Sequence, residues 1–124
     1  MILEEGEKEL KSGKGVIKEL MISGGEPEVA LQGEGNLYVT NKRIIMEKES
    51  FTLFELPLKA LQEATVMGTI RRSLVLDADL SEMKTDVRQV DQSRLKGASG
   101  TFLIEVDEPY EWAEQINSAA VKGA

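Results

Sequence analysis

Residues 35–48, Gly-Asn-Leu-Tyr-Val-Thr-Asn-Lys-Arg-Ile-Ile-Met-Glu-Lys, restrict the fold of this chain more than any other stretch. Two apolar-rich runs flank Asn41-Lys42, which is the pattern of a β-hairpin. With Asn41 and Lys42 as the loop, Thr40 faces Arg43, Val39 faces Ile44, Tyr38 faces Ile45 and Leu37 faces Met46, because the turn sets the register. Leu37, Val39, Ile44 and Met46 then share one face, and that face must be covered. Tyr38 and Ile45 share the other as an aromatic and β-branched cross-strand pair, worth about 0.2–1 kcal/mol. Asn41 tolerates positive φ, but Lys42 is a poorer second loop residue than glycine, so a slightly longer loop is an alternative.

A meander of short strands surrounds this hairpin. Residues 1–15 are dense in Glu, Lys and Gly, with little apolar content beyond Ile2, Leu3 and Leu10, so they are expected on the surface or as an edge strand that pairs late. A short helix over residues 3–11 is the competing reading. Residues 16–22 form the first convincing strand, ended by Ser23-Gly24-Gly25-Glu26-Pro27. Residues 28–31 begin the next, and Gly33 and Gly35 suggest a bulge or bend before the hairpin. Beyond a Glu49-Ser50 turn, residues 51–56 read as a strand closed by Pro57, which lacks a ladder donor. Residues 58–61 read as a single turn. Residues 63–67 and 73–79 read as two further strands joined through Gly68-Thr69-Ile70-Arg71-Arg72. This spacing points to an all-β sandwich or barrel. Residues 80–99 carry Met83, Val87, Val90 and Leu95 among many charges, and are expected to be an exposed strand or helix followed by a flexible turn. In residues 101–106, Phe102, Ile104 and Val106 alternate with Thr101, Leu103 and Glu105, as a half-buried strand requires.

The chain ends in a helix predicted over residues 109–121. Asp107 is placed to cap its free amides, Pro109 suits the first turn, and Glu108 and Glu111 suit the positive end of the dipole. Trp112, Ile116, Ala119 and Ala120 form one apolar stripe. A helix this short is marginal alone, so the stripe must pack on the β structure. Trp112, the only Trp, is the natural plug for an open end, and truncating such a residue typically costs about 3–5 kcal/mol.

Composition removes several functional classes. The 124 residues are one domain by length. The chain has neither Cys nor His, which removes the disulfide framework, the thiolate nucleophile, the usual zinc ligands and the usual neutral-pH base. A net charge of −7 repels nucleic acid and disfavours anionic membranes. The first five residues show no basic leader or apolar core of a signal, and no apolar run approaches a membrane span. A soluble, cytoplasmic protein is expected, with no cofactor, no metal and no nucleic-acid partner.

The motif Gly35-x-Leu37-Tyr38-Val39-Thr40-Asn41-Lys42-Arg43-Ile44-Ile45 resembles the hairpin of GRAM-like and bacterial PH-like domains, where Gly-x-Leu-x-Leu-Thr-x-x-Arg-Leu-Ile recurs. Leu56-Pro57-Leu58-Lys59-Ala60-Leu61 is similar to the turn those families place before their next strand, and residues 102–116 resemble their last strand and capping helix. The resemblance implies a mainly β fold, a PH-like barrel of two near-orthogonal antiparallel sheets capped by a C-terminal α-helix. It also implies recognition or scaffolding in place of catalysis, with a protein partner or self-association. Phosphoinositide binding by such domains uses basic residues around the first inter-strand loop. Here Lys14 and Lys18 flank the first strand, but Glu26, Glu28 and Glu34 follow it.

Four cations are candidate ligand-binding residues. Arg71 and Arg72 could hold a phosphate or carboxylate, as could Lys42 and Arg43. Against this stand a solvated turn for the first pair, and for Arg43 a stem covering the barrel rim with its head on a carboxylate. Peripheral binding to an anionic lipid headgroup through these four residues is the alternative function. Tyr38 and Ile45 are the candidate interaction face, open to a partner unless covered from within. Asp77, Asp79, Glu82 and Asp86 lack the glycine and bidentate Glu spacing of an EF-hand, so an acidic surface is the expected reading. Gly33-Glu34-Gly35 lacks the features of a phosphate loop.

Overall fold

The computed structural model describes residues 2–23, 31–88, 90 and 92–122. The acidic loop read from Glu26 and Glu28, and the strand start at residues 28–30, lie outside the described residues. Seven strands form one continuous antiparallel sheet: β1 (Glu9–Ile22), β2 (Gly33–Thr40), β3 (Arg43–Lys48), β4 (Phe51–Pro57), β5 (Leu61–Met67), β6 (Ser73–Asp79) and β7 (Ser99–Val106). Their order across the sheet is β4-β3-β2-β1-β7-β6-β5. A short helix α1 (Gln92–Leu95) precedes β7, and helix α2 (Pro109–Lys122) ends the chain.

The strand β1 is the crease about which the sheet closes. Its first part pairs with β2 and its second with β7, and Gly15, Val16 and Ile17 pair with both. The two halves therefore face each other across one core. Phe54 of β4 and Phe102 of β7 stack there with ring centroids 4.5 Å apart, although three strands separate them in the sheet order. The two sheets that the resemblance implied are joined by hydrogen bonds through β1 into one order.

That crease corrects the expectation for residues 1–15. Glu9–Gly15 belongs to a central strand and is neither an edge strand nor part of a helix. Gly15 stands where the barrel is crowded, and Gly13 faces the Trp112 ring. A Cβ on Gly15 would lie 3.0 Å from Met46 Cε and 3.2 Å from Val106 Cγ1, and one on Gly13 would meet the Trp112 ring at 3.4 Å. The bulge expected near Gly33 and Gly35 is also elsewhere. Register shifts fall between Glu9 and Lys11 and between Ile17 and Glu19. The second lets both Ile17 and Leu20, three residues apart, reach the core.

The hairpin register is the one read from sequence: Val39 pairs Ile44, Tyr38 pairs Ile45 and Leu37 pairs Met46. Leu37, Val39, Ile44 and Met46 are fully buried. The loop is made differently. Neither Asn41 nor Lys42 takes positive φ; Thr40 Oγ1 instead accepts from the amides of Lys42 and Arg43, both at 3.0 Å. This hydroxyl-closed turn removes the need for Asn-Gly.

Residues 80–98 also correct the reading. Leu80, Met83, Val90 and Leu95 are core residues, and the segment crosses the outer edge of β4. The Glu55 amide donates to Lys84 O at 2.8 Å, the Lys84 amide to Glu55 O at 2.9 Å, and Thr85 Oγ1 to Leu53 O at 2.6 Å. An edge strand is thereby paired from within. Gly100, expected in a flexible turn, begins the buried part of β7, where a Cβ would press 2.5 Å from Leu80 Cδ1.

Helix α2 packs chiefly along β5 and β6, and Trp112, Ile116 and Ala119 are buried in the common core. Asn117 fixes it: its Oδ1 accepts from the Ala64 amide at 3.0 Å and its Nδ2 donates to the Ala64 carbonyl at 2.8 Å. One side chain thus occupies the outer backbone edge of β5 at that residue. Asp107 makes no hydrogen bond to the first turn. Glu108 takes φ 55°, and its carbonyl accepts from the amides of Glu111 and Trp112. Glu111 beside it raises the Glu108 carboxyl above its ordinary pKa. No helix among the described residues is long and apolar enough to cross a membrane.

Candidate functional site

The crease leaves a groove of about 700 Å³ beside β1. Lys14 and Val16 of β1, Glu34 and Asn36 of β2, and Glu105 of β7 alternate with core residues and so line the side away from the core. Lys48 and Glu49 close one end from the β3–β4 turn, and Arg71 and Arg72 enter from the β5–β6 turn. Glycine builds this shape. Gly15 and Gly35 pair across β1 and β2, and a Cβ on Gly35 would sit 2.4 Å from the Glu47 carbonyl oxygen.

The lining carries both signs. Lys14, Lys48, Arg71 and Arg72 meet Glu34, Glu49, Glu105 and Asp107. Glu105 is paired with Lys18 at 3.1 Å, and the Arg72 guanidinium lies 5.2 Å from the centre of the Tyr110 ring. Lys14, Lys48 and Arg71 are exposed and have no ion-pair partner among the described residues. The groove is therefore a place where cations are held by the backbone but not spent.

Lys42 and Arg43 lie elsewhere. They line a smaller depression of about 220 Å³ with Glu4, Glu55, Lys59 and Lys84, so the four cations singled out from sequence split into two sites. Both residues at this tip are committed to the N-terminal segment. Lys42 Nζ donates to the Glu5 carbonyl at 2.7 Å. Arg43 Nε and Nη2 donate to the two carboxylate oxygens of Glu7 at 2.7 and 2.8 Å, Nη1 donates to Glu55 at 2.8 Å, and Nη2 also donates to the Ile2 carbonyl at 2.8 Å. Thr40 Oγ1 donates to Glu7 at 2.7 Å. The Glu7 side chain is fully buried. The forked contact with Arg43 is the main reason its carboxyl falls from 4.5 to about 2, against the opposing effect of burial. The Arg43 guanidinium is correspondingly held charged beyond its ordinary range. Asn41 completes the clasp, with Oδ1 accepting from the Lys8 amide at 2.7 Å and Nδ2 donating to the Gly6 carbonyl at 3.1 Å.

The Tyr38 and Ile45 face is partly closed. Ile45 is 2% exposed and Tyr38 half-buried, so what this face offers a partner is Tyr38 and its polar neighbours. The four acids of residues 77–86 are dispersed onto different partners. Asp77 accepts from Thr101 Oγ1 at 2.6 Å, Asp86 from the Thr52 amide at 2.9 Å, and Glu82 pairs with Lys59 at 3.2 Å. Asp79 accepts from the Ser81 amide at 2.9 Å, which lowers its pKa. No cluster of three or more acids able to hold a metal occurs among the described residues.

Sequence reasoning missed Glu7, which sat in a run of surface-like Glu and Lys, and missed Lys14, Lys48 and Glu34 as groove residues. No local signal marked Glu7; it meets Thr40 and Arg43 only in the folded chain.

No family model matches this sequence, and no curated protein matches it significantly. Solved structures do match. A chain in the 8S snRNP assembly intermediate superposes with a TM-score of 0.59 at 10% identity, covering 92% of this chain and 83% of that one. The Vps36 N-terminal PH domain gives 0.57 at 15% identity, covering 97% and 83%. Identities this low speak for architecture alone. The seven-stranded antiparallel sheet closed by one C-terminal helix is a PH-like fold.

Proposed function

We propose that this chain is a non-catalytic, GRAM-like binding module of the cytoplasm that docks polypeptide, either a partner protein or a second copy of itself, in the crease groove. The observation that carries this reading is the groove's lining: unpaired Lys14, Lys48 and Arg71 are interleaved with Glu34, Glu49 and Asp107. A phosphate or an anionic headgroup is repelled by those carboxylates, whereas a polypeptide presents charges of both signs and backbone amides. Nucleic acid is disfavoured by the same carboxylates and by the net charge of −7. The lining includes no hydroxyl, thiol or imidazole side chain to serve as nucleophile or neutral-pH base.

A photo-crosslinking residue at Asn36, inside the groove, tests the proposal against the same residue at Lys84 on the other depression. Adducts from position 36 and not from 84 are expected. An adduct of twice the chain mass identifies self-association, and any other mass a different protein. Adducts from neither position, or from 84 alone, would remove the groove from consideration.

A further inference from the structure

Resting on the groove as a polypeptide site, we propose that the β5–β6 turn, residues 67–72, is its anchor and selects an acidic segment bearing a bulky apolar side chain. Ile70 is 96% exposed and Met67 58% exposed. A single exposed apolar residue is ordinary on a protein surface. Here two share one turn with Arg71 and Arg72, and Tyr110, also largely exposed, lies under the Arg72 guanidinium.

Along the sequence the turn is purely basic, although Glu34, Glu49, Glu105 and Asp107 line the same groove. No acid occurs from residue 64 to residue 76, while the chain carries 22 Asp and Glu against 15 Lys and Arg. A partner that complements this turn brings negative charge to Arg71 and Arg72 and apolar surface to Met67 and Ile70. Gly68 takes φ 107°, and a Cβ there would lie 2.2 Å from the Arg71 carbonyl oxygen, so the turn admits glycine alone at this position.

An acidic polypeptide fits better than an anionic bilayer. A bilayer is flat and wide, so it meets Glu34, Glu49 and Asp107 together with the arginines. A single strand of polypeptide can follow Arg71 and Arg72 and avoid them.

Selection of a random-peptide phage library on the full chain tests this, with enriched peptides then synthesised and titrated. Enriched sequences are expected to place Asp or Glu beside Leu, Ile, Phe or Trp. Arg71→Glu combined with Arg72→Glu should weaken them about tenfold or more, and Ile70→Ser several-fold. Lys84→Glu should leave them unchanged. Circular dichroism melts confirm that each variant is folded, and Arg71→Gln provides a milder second variant. Peptides without acids, or peptides indifferent to the turn variants, overturn the anchor while leaving a polypeptide-binding module. No enrichment overturns both readings. Turn-dependent sedimentation with phosphatidylserine–phosphatidylcholine vesicles, without acidic peptides, overturns the anchor in favour of a membrane.

Discussion

At the hairpin tip, Arg43 makes four hydrogen bonds to Glu7, Glu55 and the Ile2 carbonyl. At the crease, Lys14, Lys48 and Arg71 make no ion pair among the described residues. Both regions are basic spots beside turns, and each holds two of the four cations singled out from the sequence. They differ in where the compensating charge comes from. The tip receives its carboxylate from seven residues into the chain, so its cations hold the N-terminal segment against the hairpin. The crease keeps its shape through glycine, and its cations face solvent. Arg43 of the hairpin thus serves structure, whereas Lys14, Lys48 and Arg71 carry charges that no ion pair among the described residues uses.

The strongest way to break this contrast is Arg43→Met. It leaves the Glu7 carboxylate buried without its cation, which should cost about 3–5 kcal/mol in urea denaturation. A loss under about 1 kcal/mol would show that the clasp is solvated and dispensable.

Acid sharpens it next. The folded-state pKa of Glu7 is about 2 and its ordinary value 4.5. The group is depressed, so its contribution is fully present above about pH 4.5 and fades as pH falls toward 2. The shift corresponds to about 3 kcal/mol. Glu7→Gln should flatten the stability profile in that window, as followed by thermal melts across pH; an unchanged profile would assign acid lability to other carboxylates.

At the groove the sensitive position should be a glycine and not a charge. Gly35→Ala places a Cβ against the Glu47 carbonyl and is expected to cost about 1–3 kcal/mol through strand displacement. Wild-type stability in this variant would mean that the crease relaxes freely.

The sequence made the hairpin register, strands β3 to β7 and helix α2 legible because each carries a short apolar run or an apolar face at its own period: Ile44, Ile45 and Met46 on β3, Phe102, Ile104 and Val106 on β7, Trp112 and Ile116 on α2. It hid the first half of β1, Glu9–Gly15, because that stretch carries little apolar content and Gly15 stands in a core-facing place where a Cβ would crowd Met46. It hid residues 80–88 because Leu80, Met83 and Val87 recur at a helical spacing in a segment that is not helical and follows the edge of β4 instead. The candidate site was half legible. Arg71 and Arg72 do reach a groove, yet Lys14, Lys48 and Glu34 join them only through the fold of β1, a long-range relation that no local pattern encodes. The role of Arg43 depended likewise on Glu7, thirty-six residues away.

The most direct measurement is urea unfolding of Arg71→Gln and Arg43→Met in one series beside the wild type. Arg71→Gln should overlay the wild type to within about 0.5 kcal/mol, while Arg43→Met unfolds at much lower urea. Equal losses in the two variants, or a larger loss for Arg71→Gln, would contradict the division between a structural tip and an open groove.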